Sequence, residues 1–93
     1  MPLVHVYLKE GKSDQDIQKI GDGIHKAFME AWGIPKHDRF HIFHEKKLKH
    51  LMIDKEMWDV KRSDDVIVIH IFTSPRTKEM KLNFYKCLHL KLK

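Results

Sequence analysis

The spacing of apolar positions changes along the chain, and each change marks an element. Leu3, Val4, Val6, Tyr7 and Leu8 are strand formers, and the run stops at Lys9-Glu10-Gly11, which predicts a strand from the second residue onward. From Ile17 the apolar residues recur in three- and four-residue steps through Ile20, Ile24, Ala27, Phe28 and Ala31, so a helix with one buried face follows. Ser13 stands as its N-cap, with Asp16 completing something like a capping box, and Asp14 and Asp16 suit the positive end of the helix dipole. Gly21 and Gly23 weaken the helix intrinsically and point to close backbone packing, and Gly33 and Pro35 end it. Phe40-His41-Ile42-Phe43-His44 reads as a second strand. A helix between two strands is a β-α-β unit with parallel strands.

Beyond it the pattern is weaker. Leu51-Met52-Ile53 reads as a short strand or hairpin arm, and Glu56 to Asp65, with Trp58, as loop. Val66 to Phe72 is a near-continuous apolar run, the mark of a strand covered on both faces. Ser74-Pro75 stops it, and Thr77 caps a last helix carrying Met80, Phe84, Leu88 and Leu92. The two halves repeat: Gly11 faces Pro75, Lys12 faces Arg76, Ser13 faces Thr77, and Ile20, Ile24 and Phe28 face Phe84, Leu88 and Leu92. The chain therefore divides into a β-α-β unit over residues 1–45, a linker or hairpin over 46–65 and a second, incomplete β-α unit over 66–93. The strand matching Phe40–His44 would fall beyond the last residue, which leaves a sheet edge open for another chain.

Composition narrows the class. A chain of 93 residues, 42% hydrophobic and 33% charged, is one folded globular domain in the α/β (α+β) class. No apolar run approaches a membrane span and no signal-peptide pattern precedes the first strand, so no membrane partner is expected. Cys87 is the one cysteine, an internal disulfide is impossible, and a reducing, cytoplasmic setting follows. The balance of 18 Lys+Arg against 13 Asp+Glu gives +5 and favours anionic ligands. Lys46, Lys47 and Lys49 cluster without any nucleic-acid-binding signature, so they read as a solvated face and no nucleic-acid partner is expected. His41, His44 and His50 are the tightest histidine set, but His41 and His44 point to opposite faces of a strand; no metal site and no cofactor are expected.

The candidate chemistry begins at Pro2. With Met1 removed, Pro2 carries a free secondary amine fixed at a strand end. Partial burial disfavours its charged form and moves its pKa toward neutrality, where a general acid or base works best. The plain alternative is a proline that caps an edge strand. Arg76 stands at a helix start, which the dipole disfavours, so an anionic partner explains it better than a surface role. Asp38 precedes a strand and either caps a turn or acts in catalysis.

Two β-α units, Pro2, the stretch Leu8-Lys9-Glu10-Gly11-Lys12-Ser13-Asp14, Gly33-Ile34-Pro35 with Asp38-Arg39-Phe40, Arg62-Ser63, and Pro75-Arg76-Thr77 with Lys81 and Phe84-Tyr85 together resemble the tautomerase superfamily. That superfamily includes 4-oxalocrotonate tautomerase, macrophage migration inhibitory factor and malonate semialdehyde decarboxylase, and the resemblance is closest to the decarboxylase-like branch. It implies a β-α-β repeat with two helices packed on one face of a sheet, assembled as a homotrimer. It also implies that the initiator methionine is cleaved, that Pro2 is the acid/base, that Arg76 binds a substrate carboxylate, and that Asp38 acts with a water or orients the proton transfer. Lys12, Phe40 and Ser74 complete the substrate-binding set. Ser74 stands where the decarboxylase pattern has an arginine, which shifts the expectation to keto-enol isomerisation of small enol or 2-oxo carboxylic acids. The alternatives are decarboxylase or hydratase activity, or a non-catalytic truncated homologue.

Overall fold

The computed structural model describes residues 2–54 and 65–92. Strand β1 (Leu3–Lys9) leads into helix α1 (Asp14–Trp32), which returns to strand β2 (Phe40–Lys46); strand β3 (Val68–Phe72) and helix α2 (Lys78–Lys91) follow. The sheet order is β2-β1-β3. β1 pairs with β2 in parallel, as a β-α-β unit requires, and with β3 antiparallel. Both helices cover one face.

The two helix starts repeat in atomic detail. Ser13 accepts from the Asp16 N–H and Thr77 from the Met80 N–H, each at 3.1 Å, which satisfies one otherwise orphaned donor per helix. α1 ends at Gly33, whose φ of +67° is left-handed, and its N–H donates to the Met29 carbonyl at 3.1 Å. Ile34, just past the stop, is buried beneath the helix.

Alternation along β1 sends Val4, Val6 and Leu8 into the core, where all three are fully buried. Ile24, Ala27 and Phe28 of α1 and Phe84 of α2 close over them. The Phe28 and Phe84 rings stack with centroids 4.3 Å apart, which joins the two helices at their centre. Gly23 allows a further close approach: a Cβ there would stand 2.9 Å from Leu92 Cδ2 and 3.3 Å from the Lys91 carbonyl oxygen. Lys91 and Glu30 bridge the same helices at 2.7 Å.

Two expectations change. Leu48–His50 forms a single 3₁₀ turn, and Leu51–Ile53 forms no strand. Isolated from a pairing partner, three apolar residues gain no ladder, and the local backbone bonds win. Of the stretch Glu56 to Asp65, read as loop, residues 56–64 lie outside the described residues, and Asp65 stands in a turn. β3 is covered on one face only. Ile69 and Ile71 pack toward the helices, while Val68 and Phe72, 37% and 51% exposed, share the other face with Phe40 and Ile42, each 44% exposed. Among the described residues no helix is long and apolar enough to cross a membrane.

Candidate active site

Pro2 is buried one residue before β1. Having no N–H, it leaves no ladder donor unpaired there. Leu3 lies opposite Phe40 on one side and Phe72 on the other, so one further step in each register sets Arg39 and Thr73 beside Pro2. The antiparallel pairing of β1 with β3 therefore brings the chain start to the turn that carries Thr73, Ser74 and Arg76. Asp38 arrives at the same end of the sheet, half-buried, on the loop that leads into β2; its N–H donates to the Pro35 carbonyl at 3.0 Å. Phe40, at the start of β2, stands at this end too.

Arg76 is held by an aromatic face. Its Cζ lies 4.9 Å from the centroid of the Trp32 ring. The indole is itself fixed: its N–H donates to the Met80 carbonyl at 2.8 Å, and it packs against Phe28 at 5.0 Å and Phe84 at 5.2 Å. Arg76 Nε and the Thr73 hydroxyl are both buried, with no hydrogen-bond partner among the described residues. A cavity of about 100 Å³ lies beside Trp32 and Thr73, lined also by Ile71, Lys81, Phe84 and Tyr85; Pro2, Asp38 and Arg76 do not line it. Ser74 is exposed beside it.

Lys12 goes elsewhere. It follows β1 at the opposite end of the sheet and pairs with Asp65 at 2.5 Å. The Lys12 ammonium, by its hydrogen bond, holds the Asp65 carboxyl below its usual value. β1 spans roughly 20 Å at the usual rise per residue, so Lys12 does not reach the Pro2 end of its own chain. Lys12 also lines a larger cavity, about 620 Å³, with Asp16, Lys19, Ile20, Asp65, Ile67, Ile69 and Leu92. That cavity is the bigger one and lies at the end of the sheet away from Pro2 and Arg76.

The histidines separate by face, as strand alternation dictates. His41 turns toward α1, where burial, followed by the charge of Arg39, lowers its pKa to about 4. His44 lies on the open face with its Nε2 2.8 Å from His5 Nδ1, stacked on Tyr7 at 4.5 Å. Among the described residues no three His, Cys, Asp or Glu side chains gather as a metal site. Arg39 donates to Asp22 at 3.0 Å, and Asp22, bonded first by Gln18 and then by Arg39, is held below the usual carboxylate range.

Two family models described as tautomerase enzyme match the chain, over residues 2–61 and 38–93. It is 31% identical over 88 residues to the probable tautomerase YrdN of Bacillus subtilis (strain 168), covering 95% of this chain and 68% of that protein. The chain belongs to the tautomerase family. Among solved structures, FG41 malonate semialdehyde decarboxylase inhibited by 3-bromopropiolate superposes with a TM-score of 0.89 at 27% identity, over 97% of this chain and 70% of that one. A fused 4-OT asymmetric trimer superposes at 0.73 with 21% identity, over 96% of this chain and 70% of that one, and shows the shared fold. Tautomerases are enzymes, and probable isomerase activity follows from the family and its curated relatives.

Trp32 and Thr73 are the site residues that sequence reasoning missed. Thr73 adjoins the Ser74-Pro75-Arg76 turn, and that adjacency was the available signal. Trp32 gave none, because its contact with Arg76 spans two elements.

Proposed function

We propose that this tautomerase interconverts enol and keto forms of small 2-oxo carboxylic acids, with Pro2 as general base and then general acid. The observation that carries this reading is the arginine without a carboxylate partner among the described residues, held at the end of the sheet where Pro2 precedes β1. With Met1 removed, the Pro2 amine takes the enol hydroxyl proton and returns it to carbon. Arg76 pairs with the substrate carboxylate and stabilises the enolate charge as it develops. Asp38 orients the transfer or a water. The open apolar sheet face suits cover by further copies of this chain, as a homotrimer would supply.

A second reading has support in the likeness to malonate semialdehyde decarboxylase, whose structures are described in terms of decarboxylase and hydratase activities. There a protonated Pro2 would act as acid. Ser74 in place of a second cation weakens it. Following enol ketonisation by ultraviolet absorbance, and carbon dioxide release from a 3-oxo acid in parallel, separates the two. Ketonisation is expected to dominate. Arg76→Ala should lower kcat/KM at least about tenfold, the loss of a charged bidentate contact, and Arg76→Lys should not restore it, since a point charge lacks the fork. Carbon dioxide release without ketonisation would move the assignment to the decarboxylase.

A further inference from the structure

We infer that Trp32 is a positioning residue, which fixes Arg76 as an uncompensated carboxylate seat. This rests on the reading of Arg76 as the carboxylate binder. An arginine beside an aspartate would share its N–H donors with that partner. An arginine laid on an indole uses its face, and the N–H donors at its edge stay available for a bidentate anion. The structure has this second arrangement: Cζ lies 4.9 Å from the indole centroid, and among the described residues no carboxylate pairs with the guanidinium.

The platform is rigid enough for the task. Trp32 ends α1, its N–H is tied to the Met80 carbonyl in the first turn of α2, and Phe28 and Phe84 pack on its ring. The same hydrogen bond joins the helix that carries Trp32 to the helix that Arg76 precedes. The guanidinium and its support therefore move together. Thr73 lines the small cavity beside Trp32 at the same sheet end.

The test is an NMR titration of the full chain with 2-oxobutanoate and with its uncharged methyl ester, for wild type, Trp32→Phe and Trp32→Leu. Wild type is expected to bind the acid more tightly than the ester. Trp32→Leu should weaken acid binding about tenfold and leave the ester unchanged, with Trp32→Phe, which keeps an aromatic face and the packing, falling between. In an Arg76→Ala background the Trp32 substitutions should have no further effect. Equal loss for acid and ester overturns the inference, because that is what a merely structural tryptophan would give, and so does a loss that persists without Arg76. A wild type that shows the expected ranking yet fails to ketonise enols supports the seat and overturns only the reaction.

Discussion

At Arg76 a positive charge rests on a tryptophan face, and at His41 a neutral imidazole rests against α1; both are side chains whose surroundings set their chemistry. His41 has a measurable consequence. Burial lowers its folded pKa from 6.5 to about 4, so between those values the unfolded chain binds a proton that the folded chain does not. Folding stability contributed here is full above pH 6.5 and lost as pH falls toward 4. His41→Phe should therefore shrink the drop in melting temperature between pH 7 and pH 5 relative to wild type. An unchanged drop would mean that His41 does not titrate against burial. At this scale the sequence singles out Pro2, Asp38 and Arg76 as candidates, because each breaks a local rule or matches a family position. Trp32 is not among them, since it reads as one more apolar residue on the α1 stripe, and its partner lies past two further strands in the chain.

The elements were legible where local chemistry decides them. Caps at Ser13 and Thr77, the stop at Gly33 and the alternation of β1 all follow from residues within a few positions. The stretch at Leu51–Ile53 was not, because a strand needs a partner that the sequence does not name. The two helix glycines separate propensity from packing. A Cβ on Gly21 meets Phe43 Cζ at 3.4 Å, ordinary contact, whereas on Gly23 it meets Leu92 Cδ2 at 2.9 Å with backbone oxygen behind it. Gly21→Ala should therefore stabilise by up to about 1 kcal/mol, the usual helix gain. Gly23→Ala should destabilise by about 1–2 kcal/mol, because overpacking outweighs that gain. Chemical denaturation reads both, and equal effects would show that α1 and α2 do not touch as described.

Across the whole molecule, the antiparallel pairing of β1 with β3 decides what can meet what. It sends Pro2 toward Arg76 and Lys12 toward Asp65, so the repeat of cation, cap and helix places its two cations at opposite ends of the sheet. The sequence showed the repeat but not its direction, because strand orientation depends on the path through residues 46–65. The face opposite the helices carries Phe40, Ile42, Val68 and Phe72 in the open, with His5, His44 and His70 among them. A face of that apolarity calls for a cover. Under the proposed homotrimer, Ile42→Glu should shift sedimentation from the assembled to the single-chain mass; an unchanged mass would place the contact elsewhere. The most direct check of the whole account is the rate of enol ketonisation by wild type and by Pro2→Ala, each first weighed by intact mass to establish that Met1 is gone. The expected result is catalysis by the wild type that falls at least about a hundredfold in Pro2→Ala, the usual contribution of a placed general base. Equal rates in the two proteins, or a wild type no faster than buffer, would contradict it.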